Sequence, residues 1–153
     1  MAIEQNSSES KKKITLNITT PRGLKYVEQA DMLIMRCVDG DLGVLPGHAP
    51  VSAVLGDGIL RIFNNGGEQK LAVFGGIVEI NDTTVNMFTT IAQRPEEIDR
   101  ERAEVDFRRA EATIIEQLEE QDLRRLQVLM HRALVRLEVS SHADDTGYAD
   151  NNS

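Results

Sequence analysis

Few residues in this sequence could do chemistry, and they are scattered. The three histidines, His48, His131 and His142, lie far apart and in different segments. No group of His, Cys, Asp and Glu has the spacing of a metal site. A G-x-S-x-G nucleophile elbow is missing, and so is a G-x-x-x-x-G-K-[ST] phosphate loop. His48 as the base of a small hydrolase would lack both a nucleophile and a partner acid. Gly75 and Gly76 in "FGGIVEI" lack the strand–G-x-G-x-x-G–helix setting and read as a bulge or tight turn. The chain therefore reads as non-catalytic and as needing no cofactor.

Two constellations remain. The first is "DGDLGVLPGHAP", Asp39 to Pro50, with three glycines, two prolines and a histidine in twelve residues. From composition alone it is either a turn between strands or a docking surface with apolar area from Leu45, Pro46, Pro50 and Val51. The second is a set of arginines. Asp99, Arg102 and Ala103 share one helical face, and Arg132 and Arg136 share another at i, i+4. If the two helices fold as a hairpin, Arg102, Arg132 and Arg136 converge. Converged guanidiniums bind phosphates bidentately, and Asp99 could accept from a base or ribose. The plainer alternative is two solvated faces with Glu–Arg pairs worth about 0.3 kcal/mol each.

The elements that would position these groups fall into two halves. From Ile14 to about Ala92 the chain reads as short strands. "ITLNIT" puts Ile14, Leu16 and Ile18 on one side, and "MLIMRCV" is an apolar run broken by Arg36. "GILRIFN" and "KLAVF" flank "NNGGEQ", where Asn and Gly supply the positive φ of a hairpin turn. "GIVEI" and "TTVNMFTTI" flank "NDT", a second turn. Repeated short strands of this kind form a β-sandwich or barrel.

At Pro95 the pattern changes, and from Glu96 to Thr146 there is no Gly or Pro. A helix is expected from Pro95, whose missing N–H suits a first helical position. Glu96 and Glu97 then sit where the helix dipole favours acids. Its apolar stripe is Ala103, Phe107, Ala110, Ile114 and Leu118. "EEQD" at 119–122 interrupts it, and Asp122 is placed to cap a second helix striped by Leu123, Leu126, Met130, Ala133 and Leu137. Nothing in that joint forbids one continuous helix, so the two stripes can close on each other or open onto partners. The expected organisation is a polar tail over 1–13, a β domain over 14–93, two helices over 94–139 and an acidic tail over 140–153.

Composition narrows the setting. The net charge is −8, and residues 94–153 hold nine basic and fifteen acidic groups, so no basic footprint for nucleic acid exists. Lone Cys37 cannot close an internal disulfide, which fits a reducing compartment. No apolar run of about 18 residues is present to enter a bilayer. The start, "MAIEQNSSESKKK", does not read as a signal peptide.

"GDLGVLPGHAP", "FGGIVEI" and the helix start "IDRERA", in that order over roughly Lys13 to Val139, resemble the ε subunit of bacterial F-type ATP synthases. The resemblance implies a ten-stranded β-sandwich of two five-stranded sheets, then a C-terminal antiparallel α-helical hairpin. It also implies a central-stalk rotor subunit on the cytoplasmic face of the bacterial membrane. Its implied partners are the γ subunit, the membrane c-ring and, through the extended hairpin, the α/β hexamer, where it blocks ATP hydrolysis. In several members ATP binds the folded hairpin as a regulatory ligand. The family's c-ring contacts fall on Asp41 and His48. Its ATP motif falls on Ile98, Asp99, Arg102 and Ala103, with Arg132 and Arg136 from the second helix. A glutamate of ATP-binding members is Gln93 in this chain.

Overall fold

A computed structural model describes residues 12–114 and 119–150, with residues 142–150 described through their backbone alone. Strict alternation produces β1 (Ile14–Thr20), whose Ile14, Leu16 and Ile18 are all buried. β2 (Gly23–Ala30) buries only Tyr26 and Ala30 and leaves Leu24 and Val27 exposed, so its apolar pattern is too weak to announce a strand. In β3 (Met32–Cys37), Leu33, Met35 and Cys37 point inward and Arg36 points out, so the arginine is a member of the alternation and not a break in it. β4 (Gly40–Val44) pairs with β3 and takes in the first half of the Asp39–Pro50 stretch, which is therefore strand before it is loop.

β5 (Val51–Asn64) and β6 (Gly67–Ile80) form the long central hairpin. Asn65 and Gly66 turn it with φ of 52° and 79°, the two positive values of a type I′ turn. β7 (Thr84–Phe88) and β8 (Ile91–Gln93) complete the set. The order is β2-β1-β7-β6-β5-β3-β4, with β8 also on β6. β1 and β7 pair in parallel and the other pairs are antiparallel.

The expected pair of separate five-stranded sheets is corrected here to one mixed sheet of eight strands. The reason is the length of β5 and β6. Each runs for 14 residues, so hydrogen bonding continues from one layer into the other. The ladder bends where Leu55 pairs with Gly76 and Asp57 pairs with Phe74, skipping Gly56 and Gly75. Folded over on itself, the sheet encloses a core with members from every strand, including Leu16, Leu33, Leu60, Leu71, Val85 and Ala92. Among the described residues, no helical one belongs to that core.

Pro95 does not open the long helix that was expected. Pro95–Glu97 is a single 3-10 turn, Ile98 is extended, and α1 spans Arg100–Ile114. The helix starts later because Asp99 caps it. Its carboxylate accepts from the Arg102 amide at 3.1 Å and its carbonyl from the Ala103 amide at 3.0 Å. α2 begins at Glu120, with the Leu123 amide donating to the Glu119 carbonyl, so Asp122 lies in the first turn and is not the cap. α2 also continues to Asp150, where an acidic tail from residue 140 was expected. Val139 and Ser140 are buried, which extends the packed helix past that boundary. Lys13 likewise belongs to the fold, since its ammonium meets Asp31 at 2.6 Å and Asn64 at 2.6 Å. Residues 1–11 of the expected tail and Leu118 of the expected stripe lie outside the described residues.

α1 and α2 pack side by side, with Ala103, Ala110 and Ala133 buried and Phe107, Ile114, Leu123, Leu126, Met130 and Leu137 partly buried. α2 has a second face that the stripe did not reveal. Val135 and Val139 pack on Ala72 and Phe74, on the outer side of β6.

The bend in the hairpin depends on Gly76. Its φ is 121°, and a Cβ there would sit 2.1 Å from the Phe88 carbonyl oxygen. Gly76→Ala should therefore cost about 3 kcal/mol or more in urea unfolding. A loss below about 0.5 kcal/mol, the usual range of neutral surface changes, would refute this reading.

Candidate functional site

Two arginines of α2, Arg132 and Arg136, face the sheet. Arg132 donates from Nε to Asp57 Oδ2 at 2.8 Å, and its guanidinium stands 5.2 Å from the centroid of Phe74. One turn on, Arg136 donates from Nε to Gln93 Oε1 at 2.9 Å and stands 4.7 Å from the same ring. Buried Phe74 thus carries two cations, each held by a second, polar partner. His131 adds a bond from its Nε2 to the Asp57 carbonyl at 2.9 Å, and Lys70 lies 3.9 Å from Glu138.

Burial, and next the charge on Arg132, pull the Arg136 pKa down; Arg102 acts in the same direction and Asp106 opposes it. Arg132 and Arg136 thus share one ring, and the charge of Arg102 reaches Arg136 from α1. The three are not equivalent, because Arg132 and Arg136 are engaged on the sheet while Arg102 stays exposed. Asp99 is occupied as the cap of α1. Ile98 packs against the Phe74 cluster and Ala103 is buried in the helix pair. Gln93 stands in the neighbourhood as the partner of Arg136.

Asp41 and His48 lie elsewhere, on the wall of one hollow of about 570 Å³ at the β3–β4 turn. Asp41 is exposed and accepts weakly from Arg36 at 3.4 Å. His48 is half-buried, with Nδ1 2.7 Å from the Ala49 carbonyl. The loop that presents it is fixed by Gly47, whose φ is 87° and whose amide donates to the Asp82 carbonyl at 2.7 Å. Val38, Val51, Val54 and Ile77 line the same hollow and are all exposed. Cys37 reaches its floor; burial first, then Asp39 and Asp41, push the thiol pKa up, which keeps it protonated and unreactive. Among the described residues no cluster could hold a metal ion.

Comparison with known proteins matches both halves of the chain to one family. Residues 13–95 fit "ATP synthase, Delta/Epsilon chain, beta-sandwich domain" and residues 96–141 fit "ATP synthase, Delta/Epsilon chain, long alpha-helix domain". This chain belongs to the ATP synthase delta/epsilon family. The ATP synthase epsilon chain of Bacillus velezensis is 36% identical over 131 residues, covering 86% of this chain and 99% of that one. Those of Bacillus subtilis and Pediococcus pentosaceus are 39% and 38% identical, each over 84% of this chain, and 98% and 96% of theirs. The fold also resembles a chain in the Euglena gracilis mitochondrial ATP synthase structure described as OSCP/F1/c-ring in rotational state 1. There the TM-score is 0.62 at 24% identity, over 88% of this chain and 81% of that chain.

Within this delta/epsilon chain, Asp57 and Phe74 are the site residues that sequence reasoning missed. A signal for Asp57 existed. It is a charge between two glycines, Gly56 and Gly58, flanked by the apolar runs Ala53–Leu55 and Ile59–Leu60, a pattern that marks close approach of something else. Phe74 gave no signal, because an aromatic in a strand is ordinarily core.

Asp57→Asn removes the charge partner of Arg132 but keeps the shape. It should weaken helix-to-sheet attachment by about 1 kcal/mol, the scale of a partly exposed pair. Hydrogen exchange of β6 amides near Phe74 as a function of NaCl checks this. Exchange should quicken with salt in the parent and be nearly flat in the variant. Equal salt slopes would rule out the ion pair as the fastener.

Proposed function

We propose that this chain is the non-catalytic ε-type rotor subunit of an F-type ATP synthase. Its sandwich joins the γ subunit to the membrane c-ring, so that ion flow drives ATP synthesis, and its C-terminal helices restrain ATP hydrolysis by reaching the α/β hexamer. It works at the cytoplasmic face of the bacterial membrane without entering the bilayer. No described helix is long and apolar enough to cross a membrane.

Beyond family membership, one observation supports the ring contact. Asp41 and His48 share a hollow with four exposed aliphatic side chains, which gives a hydrophobic surface with two polar groups to fix register. A second observation supports the movable helices. The sandwich core is closed by strand residues alone, so the helices can leave without opening it.

The isolated subunit should bind γ and show no ATPase activity; failure to bind γ would overturn the assignment. Asp41→Ala combined with His48→Ala should lower ATP-driven ion pumping in inverted vesicles while the melting temperature holds. Unchanged pumping would remove both residues from the ring contact.

A regulatory ATP site is supported by the crowding of Arg102 and Arg132 upon Arg136, which an anionic triphosphate would relieve. Ile98, Asp99 and Ala103 would form its helix-start wall, with Gln93 altering its polar edge. Calorimetry should show ATP binding that Arg102→Ala and Arg132→Ala each weaken at least tenfold. Absence of heat at millimolar ATP would end this second reading.

A further inference from the structure

The helical pair is joined to the sandwich through a junction that is itself tied down. Glu97 is the hub. Its carboxylate accepts from the Tyr26 hydroxyl, from Lys25 Nζ at 3.0 Å and from the Arg94 amide at 3.1 Å. The Glu97 amide returns a bond to the Arg94 carbonyl at 3.0 Å. Lys25 and Arg94 stand over the Tyr26 ring, 5.0 and 4.6 Å from its centroid. Lys25 also donates to the Ala92 carbonyl at 2.6 Å, and Arg94 pairs with Glu28. Thus β2 grips the chain from residue 92 to 97 through side chain, backbone and ring contacts together.

Two residues later the grip ends. Ile98 is extended, with φ −90° and ψ 124°, and Asp99 caps the first turn of α1. Helix on one side and clasp on the other leave Ile98–Asp99 as the link between them: the Ile98 amide closes the 3-10 turn on Pro95, the Asp99 carbonyl takes the first bond of α1, and the extended Ile98 joins the two.

We propose that the clasp around Glu97 makes residues 94–97 a fixed part of the sandwich, and that the helical pair swings about the two-residue link Ile98–Asp99. This rests on the reading that the helices are movable. The contacts broken in the swing are the downstream ones of α2 on the sheet: Arg132 and His131 with Asp57, Arg136 with Gln93, and Val135 and Val139 on Ala72 and Phe74. Those within the clasp stay made. The helical motif thus begins to move at its Asp99 cap, and the 3-10 turn before it is an anchor and not part of the moving body.

Double electron–electron resonance on the full chain tests this. Buried Cys37 is first replaced by Ala, and spin labels are placed at exposed positions 79 and 96, or 79 and 109. The latch is then cut by Asp57→Asn with Arg136→Ala. The 79–109 distance should shift or broaden by about 5 Å or more, one helical turn, while the 79–96 distribution holds. Adding Glu97→Ala should make the 79–96 pair move as well, and Glu97→Gln should do so less. If 79–96 shifts with 79–109 while Glu97 is intact, the pivot lies upstream and the proposal fails. If Glu97→Ala leaves 79–96 unchanged after the latch is cut, the clasp is not the anchor and the proposal fails. If 79–109 never moves, the movable-helix reading itself falls, a result distinct from the other two.

Discussion

Much of this structure depends on one constraint: β6 is buried on both faces from Leu71 to Phe74. Leu71 and Val73 face the sandwich core and Ala72 and Phe74 face outward. A strand with only one apolar face would close the sandwich and end the matter. Here the outer face needs cover, and Val135 and Val139 of α2 supply it. Phe74 adds a flat apolar surface on which Arg132 and Arg136 can lie without losing their charge to solvent exclusion, because each also has a polar partner. The site of the arginines is thus a by-product of how one strand is covered.

The two interfaces differ in scale, and the difference governs behaviour. Core members from all eight strands are lost from water together, each large one worth about 1.5–3 kcal/mol. The helix attachment buries four residues, two of them valines, and adds ion pairs that are partly open to solvent. Its total is a few kcal/mol, which a partner or ligand can match. The same residues that make the attachment specific keep it weak, since charged pairs fix register more than they add stability.

Much of this was legible in the sequence. Period-two alternation found β1, and Asn65–Gly66 found the central hairpin, because both signals are local. The apolar stripes of the two helices were found for the same reason. What stayed hidden was non-local. β2 carries little apolar pattern because only Tyr26 and Ala30 of its side chains are buried. The late start of α1 followed from Asp99 capping, which competed with the Pro95 signal and won. The continuity of the sheet could not be read at all, since it depends on Gly75 and Gly76, whose positive φ values turn β6 without ending it. Of the arginine group, spacing placed the cations, but their anchors, Asp57 and Phe74, come from the other half of the chain.

The parallel pairing of β1 with β7 bears on how the chain folds. β1 lies inside the sheet, between β2 and β7, and Thr15 meets Thr84. The first strand to leave the ribosome therefore waits for nearly the last, with an unpaired edge exposed meanwhile. The sandwich closes only when residues 84–88 arrive, and long-range closure of this kind is slow. The helices come after and form locally and fast. Their seat on β6 exists only once the slow step is done, so their docking reports that the barrel-like half has been completed.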